Sequence, residues 1–376
     1  MGSSLKSFIF YLVVVLLPFF LHSDFIRKLS FSSHIRHRFS YEFALHFNSQ
    51  GKFKILQVAD MHFGNGLLTR CRDVPPHEFY LCSDLNTTRF LERMIEAEKP
   101  DFIAFTGDNI FGTSSTDAGD SMLQAFQPVV KSRTPWAAVL GNHDQESTLT
   151  RKELMSFISN LDYSVSQINP EDTSTIDGFG NYRLQIRGPP GSDSSNTTVL
   201  TLYFLDSGDR ELVGGIKTYG YIKESQLAWL REASNRLQGE GEKPPALAFF
   251  HIPIPEVRNL YYEKVVGEFQ EGVACSFVNS GALRTFASLG DVKAAFMGHD
   301  HTNDFCGKLE GIWFCYGGGF GYHGYGKTGW PRRARVIVAE LEKGERSWLR
   351  AERIASWKRL DDQMLTLIDY QVLWQR

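Results

Sequence analysis

From Phe53 onward, short apolar runs alternate with stretches of helical periodicity. The runs at 53–59, 102–106, 136–140, 199–205, 246–250 and 294–297 are nearly uninterrupted by polar residues, so they predict strands covered on both faces. Helices are expected between many of them: Thr88 to Glu98 behind Asp84, Arg151 to Ser159, and Gln226 to Leu237 with Ser225 as N-cap. Late strands at 311–316 and 335–341 predict a second sheet packed on the first. The fold class is therefore α/β, with layered sheets inside and helices outside. Residues 51–345 contain no stretch that reads as a linker and are expected to form one domain. Residues 24–50 read as a polar linker or edge segment, and 346–376, with Trp348, Trp357 and Trp374, as a tail packed on the domain.

The N-terminus has a different pattern. Residues Phe8 to Leu21 are wholly apolar, a run that falls short of the about 20 residues a spanning helix needs but suits the core of a signal peptide. His22-Ser23 offers a cleavage context, while Arg27, Lys28, Arg36 and Arg38 leave an uncleaved anchor open, so 1–23 read as a signal peptide or signal anchor. The expectation is the secretory pathway, ending outside the cell or in a vacuole. Two sequons, Asn86-Thr87-Thr88 and Asn196-Thr197-Thr198, are candidate glycosylation sites for that compartment. Five cysteines cannot all pair within the chain. Cys71 with Cys82, and Cys306 with Cys315, lie close enough to close small loops, or remain as buried thiols. A net charge of -3 gives no footing for nucleic acid, and a membrane enters only through an uncleaved N-terminus.

Chemistry concentrates where strands end, the place where α/β folds gather their sites. The first run ends in Asp60-Met61-His62 and the second in Gly107-Asp108-Asn109. The third ends in Gly141-Asn142-His143-Asp144, the fifth in His251, and the sixth in Gly298-His299-Asp300-His301. Carboxylate oxygen neutralises charge and bridges cations, imidazole suits iron, zinc and manganese, and an Asn carbonyl adds a neutral oxygen. Spacing of two in an extended segment puts both side chains on one face, so Asp60/His62 and His299/His301 would each grip a cation. Glycines before Asp108, Asn142 and His299 would let backbone come close. Singly, each block has a plainer reading: a loop, a surface turn, a hydrogen-bonded core histidine. Together and in this order they argue for a pair of metal ions.

Over roughly residues 51–345, and on these five blocks, the sequence resembles the calcineurin-like metallophosphoesterases, and within them the small plant purple acid phosphatases. The resemblance implies an α/β/β/α sandwich of two mixed sheets flanked by helices. It implies that Asp60, His62, Asp108 and His301 hold one metal, that Asp108 bridges, and that Asn142, His251 and His299 complete the other. It places His143 over the metals as the acid that protonates a departing alkoxide. The cofactors implied are two ions, iron with zinc or manganese, and the substrate a small phosphoester attacked by a hydroxide shared between them. Two positions depart from the purple enzymes. Their first block is Asp-x-Gly, where His62 stands here, and their Gly-Asp-x-x-Tyr supplies a Tyr ligand where Phe111 stands here. Either His62 replaces the lost phenolate in an active phosphoric ester hydrolase, or the chain is an impaired or inactive homologue that binds metal and phosphorylated ligands. The glycine-rich stretch Tyr316 to Lys327 adds Tyr322 and His323 as candidate substrate contacts, or is a plain turn. A mononuclear zinc peptidase is disfavoured because HExxH is missing.

Overall fold

Each long apolar run finds a partner on both sides, and the pairing builds two large mixed sheets. The computed structural model describes residues 44–170, 176–237, 243–345 and 347–376. Its strands are β1 (Leu45–His46), β2 (Lys52–Val58), β3 (Phe102–Thr106), β4 (Trp136–Val139), β5 (Tyr182–Arg187), β6 (Thr198–Phe204), β7 (Arg210–Val213) and β8 (Ile216–Tyr219). There follow β9 (Ala246–Phe249), β10 (Val292–Met297), β11 (Cys306–Leu309), β12 (Ile312–Tyr316), β13 (Arg333–Lys343), β14 (Trp348–Leu360) and β15 (Leu367–Gln375). The α-helices are α1 (Asp84–Glu98), α2 (Ala118–Ser132), α3 (Arg151–Ser159), α4 (Glu224–Asn235) and α5 (Ala282–Leu289).

One sheet runs β1-β5-β6-β9-β10-β12-β11 and the other β15-β14-β13-β2-β3-β4, while β7 and β8 form a separate hairpin. Within them β2-β3-β4 and β6-β9-β10-β12 are parallel, so their C-terminal loops gather at common edges. The sheets meet through rings such as Phe102 against Phe204, and through the Gln57 amide, which donates to the Met297 carbonyl at 3.1 Å. Phe126 of α2 packs edge-on against Phe105 of β3, and Leu227, Leu230 and Phe286 of α4 and α5 cover the other sheet. Every residue of β3, β4 and β9 is buried, as strands covered on both faces require. By their contacts, the described residues of 44–159 and 163–376 form one compact unit.

Three features differ from the sequence reading. The late strands do not share a second sheet, since β12 joins one sheet and β13 the other. Residues expected as a tail packed on the domain are β14 and β15, β14 paired antiparallel onto β13 and β15 onto β14, so that they extend its sheet. Their half-exposed, charge-rich strands lack the apolar run that marks β3 or β4, and only the long free edge of β13 calls them into the sheet. Helix α4 starts two residues earlier, with Lys223 at its N-cap, and the Ser225 hydroxyl donates to Asp177 instead. In the expected linker, Leu45–His46 pairs with β5. The segment 1–23 and the linker as far as residue 43 lie outside the described residues. Disulfides join Cys71 to Cys82 and Cys306 to Cys315, and Cys275 is free and buried.

Candidate metal centre

The loops that follow β2, β3, β4, β9 and β10 converge, and their backbone is unusual. Asp60, His62, Asp108 and His299 have φ of 57°, 46°, 48° and 81°, the left-handed region that side chains with a Cβ seldom enter. Asp60 and His62 are therefore not aligned by an extended segment, as their spacing suggested. Two left-handed residues turn the chain instead, while the Asp60 and His62 amides donate to the carbonyls of Gly107 at 3.1 Å and Asp108 at 2.9 Å. Gly141 explains why a glycine precedes Asn142: a Cβ there would stand 2.1 Å from Oδ1 of Asp108.

The convergence brings six of the expected donors to one buried place. Asp60, His62, Asp108 and His301 form one group, and Asp108, His251 and His299 another, with the donor atoms of each group within 4.8 Å of one another. Asp108 belongs to both. Its Oδ1 accepts the His143 amide proton at 2.8 Å, while Oδ2 faces Nε2 of His62 at 3.4 Å and of His251 at 3.2 Å. Nε2 of His301 lies 2.9 Å from Nε2 of His62 and 3.5 Å from Oδ1 of Asp60. Both Asp60 oxygens take the His299 amide proton, at 2.9 and 3.1 Å. Asn142 follows β4 with its side-chain oxygen buried and without a partner.

Hydrogen bonds behind the rings decide where the lone pairs point. Nδ1–H of His251 donates to the Thr106 carbonyl at 2.9 Å, and Nδ1–H of His301 to the Tyr325 carbonyl at 2.8 Å. Nε2 of His251 is then an acceptor aimed at a carboxylate oxygen, and it has no hydrogen-bond partner. Nε2 of His299 is buried and unpartnered in the same way. Two acceptors facing each other in a buried site repel unless positive charge lies between them. Burial pushes the His62 and His299 imidazoles well below their usual value, keeping them neutral. Burial would raise the Asp108 carboxyl, but His251 and His62 outweigh it and hold it well below the carboxylate range. Burial likewise opposes a charged His251, yet Asp108 and Asp60 carry it up to about 9. This donor set fits a dinuclear metal site.

His143 stands at the rim, its side chain 24% exposed and its ring 5.3 Å from that of His62. Nδ1 lies 2.7 Å from Oε2 of Glu146, and Nε2 lies 3.4 Å from Nη2 of Arg210, which also pairs with Glu146 at 2.9 Å. Phe111 packs 5.2 Å from the His62 ring and 4.7 Å from that of His143, with the Arg72 guanidinium over its face. Sequence reasoning missed Glu146 and Arg210, although Glu146 follows His143 by three residues. It also missed Tyr219, edge-on to His299 at 4.5 Å, and Tyr325, stacked on His301 at 3.9 Å.

Other candidates have structural employment. The Tyr322 hydroxyl donates to Asp361 at 2.6 Å. His323 donates from Nδ1 to the Arg70 carbonyl at 2.7 Å and accepts at Nε2 from the Ser114 hydroxyl at 2.9 Å. Both residues expected as substrate contacts thus have their polar atoms hydrogen-bonded within the fold. Asp144 takes the amide protons of Gly141 and Ile110 and so holds their loops. Of the two sequons, Asn196 is exposed in the turn between β5 and β6, whereas the Asn86 amide sits in the capping box of α1.

Comparison with known proteins agrees with this geometry. Residues 53–303 match the family model described as calcineurin-like phosphoesterase. An Arabidopsis thaliana protein named probable inactive purple acid phosphatase 28 is 60% identical over 96% of this chain and 94% of its own length. Probable inactive purple acid phosphatase 29 of the same plant is 52% identical over 88% of each. Among solved structures, a dimetal phosphatase from Danio rerio superposes with a TM-score of 0.51 at 16% identity, covering 85% of this chain and 99% of that one. Its likeness supports the two-sheet fold.

Proposed function

We propose that this chain, which belongs to the calcineurin-like phosphoesterase family, hydrolyses a small phosphoric ester at the centre built around Asp108. The observation that carries the reading is the Asp108 Oδ2 atom, turned to an imidazole of each donor group at 3.4 and 3.2 Å. Two cations held by these donors would supply an acidic water and positive charge for phosphate oxygens. Around them the chain's own groups divide the work. Asp60, His62, Asp108 and His301 would hold one cation; Asp108, Asn142, His251 and His299 would hold the other. His143, its Nδ1 tied to Glu146, gives a proton from Nε2 to the departing oxygen. Iron with zinc or manganese suits this mixture of carboxylate and imidazole.

A second reading is a protein that binds metal and phosphorylated ligands without turnover. Phe111 at the position of the purple-type Tyr favours it, as do the names of the plant relatives. The placement of His62 favours the enzyme, because its imidazole reaches both Asp108 and His301 where a phenolate is missing. Elemental analysis combined with hydrolysis of an aryl phosphate decides between them. The expected result is two metal equivalents and hydrolysis that chelation abolishes and reloading restores. Two equivalents without turnover would establish the second reading, and failure to bind metal would overturn both.

The disulfides and the exposed Asn196 support synthesis in the secretory pathway. A mass shift on endoglycosidase treatment that Asn196→Gln removes is the expected check. An unglycosylated chain with reduced cysteines from the native source would contradict it.

A further inference from the structure

Beside the metal centre lies an open trough of about 780 Å³ between the β7–β8 hairpin and the segment that carries Phe277. Its near end is the centre itself, since Arg210 reaches His143 at 3.4 Å and Tyr219 packs on His299. We infer that this trough is the leaving-group subsite and that it takes an aromatic alcohol carrying a second negative charge. The inference rests on the hydrolytic reading above.

The walls are apolar and uncovered: Leu212 is 67% and Phe277 52% exposed, with the Tyr219 ring between the trough and His299. Surfaces of this kind cost little to leave singly but gain when a flat apolar body covers them together. The walls are also held in place. The Phe277 amide donates to the Thr218 hydroxyl at 3.2 Å, and that hydroxyl donates to Ser276 at 3.3 Å. The Ala274 amide is bonded to Asp300, between the two histidines of the last donor block. A substrate arm lying here is thereby positioned relative to the cations.

Charge completes the argument. Arg210 is spent on Glu146 and Asp209, and Glu211 is neutralised by Lys223. Lys217 and Arg258 remain: among the described residues neither forms an ion pair, and Arg258 donates to the carbonyls of Val273 and Cys275. Two uncompensated cations flanking an aromatic wall suit an anion on the far side of the ring system. On hydrolysis a water oxygen bonds to phosphorus and the bond from phosphorus to the aryl oxygen breaks. That oxygen keeps the electron pair and takes the His143 proton, and the water's proton passes to solvent.

The test compares phenyl phosphate, 2-naphthyl phosphate and a sulfonated 2-naphthyl phosphate, with the full chain and both metals. Phe277→Ala should reduce kcat/KM for both naphthyl esters relative to phenyl phosphate by about tenfold, the scale of one lost apolar contact. Lys217→Ala should reduce only the advantage of the sulfonated ester. Equilibrium binding of sulfonated naphthol, read by its fluorescence, should weaken in both variants, and this readout needs no turnover. Equal treatment of all three esters, with naphthol binding untouched by either substitution, overturns the subsite and leaves the hydrolytic reading standing. Naphthol binding that responds to both substitutions in a chain that cleaves no ester retains the subsite as a binding site and removes the hydrolytic reading.

Discussion

Two buried clusters of charge begin three residues apart, one containing His301 and the other Asp304, and they are built on opposite principles. Around Asp304 everything is satisfied. Arg333 meets its Oδ2 at 2.6 Å and Lys358 its Oδ1 at 2.7 Å, while Arg335 donates to its carbonyl at 2.7 Å. Burial would raise the Asp304 carboxyl, but Lys358 and Arg333 hold it below its usual value. The cluster around Asp108 instead leaves Nε2 of His251 and Nε2 of His299 without partners. A buried polar cluster that completes itself is part of the scaffold. One that leaves lone pairs converging on a point is waiting for cations.

Substitutions should therefore fail in different ways. Asp108→Ala, the largest effect, should take turnover to background and both metals out of the protein, while the unfolding midpoint of the metal-free chain moves little. Asp304→Ala should do the reverse, costing about 3–5 kcal/mol in denaturant unfolding because it strands buried cations. Metal content per folded molecule should stay at the wild-type value. His143→Ala should lower turnover by about 10²–10⁴-fold with both metals retained. Loss of metal in that variant would place His143 among the ligands instead. Gly141→Ala pushes a Cβ at the Asp108 carboxylate and should weaken metal affinity by about 10–100-fold, measured by competition with a chelator.

The smallest effect separates scaffold from centre by pH. Burial raises the Asp84 carboxyl from 3.8 to about 7, with the Gly64 amide partly opposing. The folded chain thus holds this proton more tightly than the unfolded one. Its contribution to stability is full below 3.8 and is lost as pH rises to about 7. Asp84→Asn should flatten that decline in thermal unfolding of the metal-free protein. An unchanged slope would show that Asp84 is ionised in the fold.

Much of the architecture was legible locally. The run at 102–106 is β3 to the residue, and α3 spans the expected 151–159, because continuous apolar segments and helical periodicity are short-range signals. The hairpin β14–β15 was not legible, since half-exposed strands carry charges and their partner lies elsewhere in the chain. The ligand blocks were visible because five strand ends repeat the same donor chemistry. Glu146, Arg210, Tyr219 and Tyr325 were not, because each acts through a neighbour that only folding supplies.

By itself, then, the sequence determined the sheet-forming runs, the donor residues at their ends and the order in which they occur. Tertiary structure alone decided that Asp304, three residues after His301, is a salt-bridge anchor. It also set the left-handed turns at Asp60 and His62 and committed Tyr322 and His323 to holding loops. The physical reason is that residue type states what an atom is able to bind, whereas long-range packing states which of its lone pairs and protons are already used.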